Sequence, residues 1–401
     1  MKLAIIGSGP LAILCAQYFD QIGAEVTLFQ KNALGGNLRF LLDHFPEMEV
    51  SYQNQIKTIK SLWDENITPV ITALEEKNLT KAGEVLRVHK RFLHPSETVS
   101  NKSRLHDLFR VIYSVNPKEA ILKQLEENPD MFKQLGEQVM NSLHLPVESF
   151  EDFDIVIEAR GWGRPTCGMG PSNAMALNEN NIKDSAALFY EKDIFLKLTF
   201  EGKKHLVLVG HNETAILTLL KCKEWIFSNP THSLSWVTHL PVSEKLDNNW
   251  LNIELEKLLH YSQSLFDKEK IEFEKKMHDW RDLEDYVKVK IPKPIEPEAK
   301  LKVFQGYDVT SVDRLLDRDG VFATIETPDF RDYAKTPNDL KTLPAEAILI
   351  ACGVELEDSV AKGLQVNEPG FYRLEASNLT LGLEQIKLIE EKLLAYFSRA
   401  R

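Results

Sequence analysis

Cysteine is scarce in this chain and widely scattered: Cys15, Cys167, Cys222 and Cys352 form no C-x-x-C and no paired spacing. That pattern excludes a disulfide framework and a thiolate zinc site, and it fits a reducing compartment, the cytoplasm. The eleven histidines include no H-x-x-x-H and no Cys/His spacing, so no metal site is expected. Positive charge is also short, with 48 Lys and Arg against 60 Asp and Glu and a formal net charge of −12. A nucleic-acid or anionic-membrane surface as main partner is thereby disfavoured, because such surfaces call for basic patches that repay counterion release. No apolar stretch reaches the twenty or so residues of a spanning helix, so no membrane insertion is expected.

What is present is the make-up of a globular protein. Apolar residues are 43% and charged residues 27% of the chain, near the mean for folded domains, so neither a disordered nor a fibrous class fits. With 401 residues there is chain enough for two or three domains, each with its own core. Lys2 followed by an apolar stretch ending in Leu14-Cys15 has a superficial likeness to a secretory or lipoprotein signal. Gly7-Ser8-Gly9-Pro10 interrupts that stretch and Leu14 is too large for a small-residue cleavage site, so the segment is read as folded structure.

Residues 3–6 are a short apolar run of buried-strand type, residues 11–22 an almost wholly apolar helix that stops at Gly23, and residues 25–29 a second strand. Helices are predicted over residues 53–77, where Ile56, Ile59, Leu62 and Trp63 recur at helical spacing, and over residues 117–143. Between them, residues 85–88 and 108–113 suit strands of a small antiparallel sheet, and residues 154–158 are another buried strand opening onto glycines and prolines. A second strand-turn-helix begins at His205, with a strand over 206–209, a turn at Gly210, a helix over 213–227 and a next strand over 233–238. Residues 250–286 are amphipathic and then densely charged, and residues 290–300, KIPKPIEPEAK, form a proline-rich connector. Solvated helices and a stiff linker are the expectation there, a lid or docking surface the alternative. Strands around a turn at Arg318-Asp319-Gly320, a strand over 347–351 and a terminal amphipathic helix over 382–398 complete the pattern.

Gly7-Ser8-Gly9-Pro10-Leu11-Ala12 is a G-x-G-x-x-A turn between a strand and a helix. Gly7 permits the tight turn, Gly9 lets the backbone approach a pyrophosphate, and Ala12 lets helix and strand pack closely. The helix that starts at Pro10 and Leu11 offers N–H groups and a positive dipole end to phosphates. Placed between strand and helix, the motif carries weight that it would lack alone, and residues 2–30 read as a β-α-β unit of the kind that holds the ADP half of FAD. The position that bonds the adenosine ribose hydroxyls, about twenty residues on, is usually acidic. Here it is Gln30, followed by Lys31, and a neutral amide accepts such a bond more weakly than a carboxylate.

Further segments, in order, resemble the two-dinucleotide-binding flavoproteins, the thioredoxin-reductase-like and flavin-monooxygenase-like enzymes. Leu34-Gly35-Gly36-Asn37-Leu38 is similar to their glycine pair after the second strand, which lines the flavin's ribityl side. Residues 154–165, DIVIEARGWGRP, resemble the strand and glycine turn that return the chain from the FAD domain, which implies Ala159 and Gly161 near the cofactor. Residues 345–354, AEAILIACGV, resemble a later strand-turn whose usual form ends in A-T-G, which implies Gly353. Gly370-Phe371-Tyr372 and the helix from Gly382 resemble the C-terminal segment in which a helix N-terminus faces the flavin ring. The family carries a Gly-Asp pair there, whereas the register places Glu375 and Ala376 at that point. Either Glu375 is a displaced acceptor or the site has lost its flavin. Residues 50–150 and 240–340 match in general layout only.

Gly210-His211-Asn212-Glu213-Thr214-Ala215 resembles the family's second nucleotide turn, the one that holds NAD(P)H. Gly210 and Ala215 keep the pattern, while Asn212 stands where a second glycine lets the pyrophosphate approach. Asparagine tolerates left-handed backbone angles, so the turn is expected to survive. His239 and Lys245 after the next strand are candidates for a 2′-phosphate, and the choice between NAD and NADP stays open. Cys15 and Cys222 fall in buried helices and read as core residues. Cys167 and Cys352 lie in turns near an expected ligand. No catalytic acid or base can be named.

The resemblance implies an α/β protein of two Rossmann-like, three-layer dinucleotide-binding domains with helical insertions. A discontinuous FAD domain, residues 1–203 and 345–401, would receive an NAD(P)-binding-like domain, residues 204–344, as an insertion. It implies FAD and NAD(P)H as cofactors, hydride transfer from NAD(P)H to the flavin, and a small-molecule substrate or redox acceptor, the cofactors carrying the chemistry. A homodimer stays open. So does a non-catalytic nucleotide-binding or scaffold protein with eroded cofactor sites, to which Gln30, Asn212 and Glu375-Ala376 point. A dehydrogenase with one nicotinamide at the first turn is the third reading, and Gly35-Gly36 speaks against it.

Overall fold

A computed structural model describes the chain apart from residues 54, 92–107, 116–146, 183–186, 315–319, 328–338, 357, 365–367, 377 and 401, with backbone only for 162–166 and 395–400. The helix expected over 117–143 and the turn residues Arg318-Asp319 lie outside the described residues. The chain divides into two compact units, Met1–Gly163 with Leu356–Arg401, and Arg164–Glu355.

The first unit is built on a parallel sheet in the order Phe371–Arg373, Ile155–Glu158, Lys2–Ile6, Glu25–Gln30, Thr80–Ala82. Leu3, Ala4 and Ile5 are wholly buried because a parallel strand is covered on both faces, which is why this run does not alternate with polar residues. On one face Ala4, Ile6, Phe29 and Val156 pack against Val85, Val88, Phe109, Val111, Tyr113 and Phe153. Those partners come from the antiparallel strands Glu84–Lys90, Phe109–Val115 and Val147–Phe153. The helix Pro10–Gln21 packs against the sheet and against the terminal helix Leu379–Ala400. Its wholly buried Ile13 and Phe19 each contribute about 1.5–3 kcal/mol relative to exposure.

One expected element changes character. Residues 55–58 are not helical: Glu49–Tyr52 and Gln55–Thr58 form an antiparallel hairpin. Ile56 there is 75% exposed, so the apolar spacing that predicted a helix counted a residue facing water. The helix starts at Ile59, with the Thr58 hydroxyl accepting from the Ser61 N–H at 3.1 Å.

The second unit repeats the plan. Its parallel sheet runs Leu188–Tyr190, Ala347–Ile350, His205–Val209, Ser233–Thr238, Leu301–Gln305. The strands Asp308–Arg314, Val321–Glu326 and Leu340–Ala345 form an antiparallel sheet over one face. The helix Glu213–Ser228 follows the second turn, and the 33-residue helix Asn249–Arg281 follows the next strand. Residues 164–203 and 345–355 were expected in the first domain, but they lie in this unit. The cause is strand pairing: Leu188–Tyr190 adds to the sheet edge beside Ala347–Ile350, which itself pairs with His205–Val209.

Candidate functional site

The first turn is held by backbone packing. A Cβ on Gly7 would stand 2.3 Å from the Ala159 carbonyl oxygen and 3.2 Å from the Ala12 Cβ. Ala159 itself donates its N–H to the Ile6 carbonyl at 2.8 Å, tying the neighbouring strand to the turn. Gly7, Ala12 and Ala159 are thus packing positions. Gly9 is different: its backbone is extended (φ −75°), and a Cβ there meets nothing within 4 Å. It precedes Pro10, and no side chain caps this helix.

The Gly35-Gly36 pair folds back onto that turn. Gly35, left-handed at φ 108°, donates its N–H to the Ser8 carbonyl at 2.8 Å and lies under the Trp63 ring, which a Cβ would approach to 2.5 Å. A Cβ on Gly36 would lie 3.0 Å from the Gly9 Cα. Gly36 opens the helix Gly36–His44, which also lacks a side-chain cap. Asn37 is exposed on its first turn, and Leu38 anchors it in the core. Leu11 is contacted from the terminal helix, where a Cβ on Gly382 would come 2.1 Å from its side chain. Two uncapped helix N-termini therefore meet beside Gly9.

Gln30 closes the second strand, and its Oε1 is buried without a hydrogen-bond partner among the described residues. Lys31 is directed elsewhere, its ammonium 2.6 Å from the Glu84 carboxylate. Gly161 stands in open space at φ 74°. Beside it is a group that the sequence reading missed. The Glu158 carboxylate, 1% exposed, accepts from Arg160 Nε at 2.8 Å, Ser359 Oγ at 2.6 Å and the Val360 N–H at 3.2 Å. Arg373 Nε lies 3.7 Å away. A charged residue ending the apolar run Ile155-Val156-Ile157 was the available signal. The Glu375 carboxylate is 3.6 Å from Arg373, and Glu375 lines an open cavity of about 360 Å³ with Ala376, Leu381, Glu384, Gln385 and Leu388.

The second turn shares the packing but not the openness. A Cβ on Gly210 would stand 1.9 Å from the Ala351 carbonyl oxygen. Asn212 does not adopt the left-handed backbone allowed for it; it is extended at φ −112° and its Oδ1 accepts from the Ala215 N–H at 2.9 Å. An N-cap residue takes that conformation because its side chain then reaches the first free N–H groups. Asn212 Nδ2 donates to Glu191 Oε1 at 3.3 Å, and the Gly353 N–H donates to the same oxygen at 2.6 Å. Desolvation and the nearby Asp247 carboxylate push the Glu213 carboxyl above the usual range. His239 lies 3.2 Å from Asp308. Burial, then the Glu191 and Glu179 carboxylates, push the Cys352 thiol up; burial, then Glu355 and Glu191, raise Cys167. Among the described residues no group of His, Cys, Asp or Glu could hold a metal ion, and no helix is long and apolar enough to cross a membrane.

No protein-family model matches the sequence, and no curated protein is similar to it in sequence. Solved structures are similar in fold. Thioredoxin reductase from Lactococcus lactis superposes with a TM-score of 0.54 at 11% identity, covering 99% of each chain. The reduced form of the ornithine hydroxylase PvdA from Pseudomonas aeruginosa gives 0.54 at 12% identity, over 93% of this chain and 91% of its own. The cadaverine monooxygenase DfoA from Erwinia amylovora, bound to FAD, gives 0.51 at 10% identity, over 93% and 87%. With its two parallel sheets, each entered through a glycine turn, the chain shares the fold of these thioredoxin reductase and hydroxylase structures.

Proposed function

We propose that the protein is a flavoprotein oxidoreductase that binds FAD in its first unit and NAD(P)H in its second, and serves a small-molecule or redox-protein acceptor. One observation carries the reading: two uncapped helix N-termini meet at Gly9 and Gly36, and this double positive end suits a pyrophosphate. The buried, unpartnered Gln30 Oε1 supports it, since it needs a donor such as a ribose hydroxyl. The neighbours support the same class: one is a thioredoxin reductase and another holds FAD. When bound, FAD would supply two-electron redox chemistry between a reduced nicotinamide and the acceptor.

The chain's own residues have narrower tasks. N–H groups after Gly9 and Gly36 would bind phosphate oxygens, and Gln30 would accept from the ribose. The buried Glu158 fixes Arg160 and the Ser359-Val360 loop, so it positions backbone at the strand end where ligands of such sheets lie. No thiol is assigned a role: all four are free, and burial raises each of them above the ordinary range. Four unpaired thiols suit a cytoplasmic location. The visible spectrum of purified protein, before and after incubation with FAD, is the test; absence of flavin bands and of any FAD binding would sink the oxidoreductase reading.

A second reading, a nucleotide-binding or scaffold protein without turnover, draws on one observation. The helix N-terminus of the second turn is already satisfied from within, by Asn212.

A further inference from the structure

The two nucleotide turns differ in a way the fold does not require: the first is open and the second is filled by side chains. The Ala215 N–H donates to Asn212 Oδ1, Asn212 Nδ2 donates to Glu191 Oε1, and the Gly353 N–H donates to that oxygen at 2.6 Å. The chain of bonds runs from the helix N-terminus to a carboxylate only 6% exposed. Glu191 sits at φ 41°, a backbone region that a non-glycine residue occupies only when its surroundings hold it there. It directly follows the edge strand Leu188–Tyr190, and its own N–H is fixed to the Ile350 carbonyl at 2.9 Å. A strained residue thus delivers a buried carboxylate to the carboxyl ends of the strands, where a parallel sheet binds its ligands.

Donors that converge on an anion at a helix N-terminus are the means by which such turns hold phosphate. Here the Asn212 amide oxygen has taken the Ala215 N–H at the helix N-terminus, and the Glu191 carboxylate has taken the Asn212 amide and the Gly353 N–H. Resting on the reading of the second unit as a nicotinamide domain, we propose that Glu191 and Asn212 form a resident plug of the second nucleotide turn, an internal anion that NAD(P)H displaces on entry. The plug makes phosphate-bearing ligands compete with a carboxylate for the Gly353 and Asn212 donors, while a nucleoside without phosphate meets no such competition.

The test titrates full-length wild type, Glu191→Gln, Asn212→Gly and the double variant with NADPH, NADH and adenosine by calorimetry, with thermal unfolding as a check of folding. Removing the like charge should tighten dinucleotide binding in Glu191→Gln by roughly tenfold or more, with adenosine unchanged. Asn212→Gly should tighten it too, and the double variant should fall short of the product of the single effects because the two side chains act as one unit. Asn212→Gly leaves Glu191 bonded to Gly353, and so carries the test alone if Glu191→Gln does not fold. Dinucleotide affinity unchanged or weakened in both single variants would make Glu191 a structural brace and overturn the plug, leaving the nicotinamide reading intact. An equal gain for adenosine would also overturn it. Dinucleotide binding by none of the four proteins would remove the nicotinamide reading and the plug together.

Discussion

Gly36 lies so close to Gly9 that a Cβ placed on it would stand 3.0 Å from the Gly9 Cα. Each glycine marks the start of an uncapped helix, Pro10–Gln21 and Gly36–His44. Two macrodipoles meeting positive end to positive end repel each other, and an anion between them removes that repulsion. The pair of turns would therefore favour an anion such as the proposed pyrophosphate, and several expected outcomes come from it.

Gly7 and Gly9 should separate folding from binding. Gly7→Ala forces a Cβ to 2.3 Å from the Ala159 carbonyl oxygen, and such overpacking typically costs about 1–3 kcal/mol, visible as a lower Tm. Gly9→Val places its side chain in open space at an ordinary φ, so the Tm should hold while FAD binding is lost. Calorimetric titration with FAD beside thermal unfolding reads both; normal FAD affinity in Gly9→Val would make the turn merely structural.

Gln30→Leu removes a buried acceptor that has no partner among the described residues. The apo protein should be as stable as wild type or more so, because an unsatisfied polar group is lost. FAD affinity should fall about tenfold, the worth of roughly 1–1.5 kcal/mol for a neutral hydrogen bond. An unchanged dissociation constant would place the ribose elsewhere.

The cysteines should be poor nucleophiles. Burial raises Cys15, pushes Cys222 up to about 12, and raises Cys352 and Cys167 with help from neighbouring carboxylates. A raised thiol stays protonated at neutral pH, so alkylation of the native protein should be slow. Its rate should keep climbing above the ordinary thiol range near ~8.5. Mass spectrometry after iodoacetamide treatment at stepped pH measures each site; rapid labelling of any of the four at pH 7 would contradict this.

Asp152 supplies acid-sensitive stability. Arg110 bonds both its oxygens, at 2.9 and 3.1 Å, and holds the carboxyl below its usual range. A depressed carboxylate contributes stability that is full above its unfolded value of about 3.9 and is lost as pH falls through the folded value. Allowing for partial exposure, about 1 kcal/mol is at stake. Asp152→Asn should therefore lower the Tm by roughly 2–4 °C at pH 7 and narrow the gap to wild type as pH falls below 4. A gap that widens in acid would reverse the assignment.

Much of this was legible in the sequence because it is decided locally. The apolar runs 3–6, 25–29, 206–209 and 233–238 matched strands, and the turns at Gly7 and Gly210 sit between strand and helix as their spacing required. Ile56 misled because apolar spacing does not say which residues find a core. Glu191 gave no signal, since Tyr190-Glu191-Lys192-Asp193 reads as a surface stretch.

Local propensity and motif spacing alone determined the α/β class and the two glycine turns. The tertiary structure alone decided that Gly36 closes on Gly9, that Leu188–Tyr190 joins the second sheet, and that Glu191 reaches Asn212 and Gly353. Backbone preferences act over a turn or two of chain, whereas contacts between distant residues form only when burial across the whole unit outweighs the entropy of closing the loops between them.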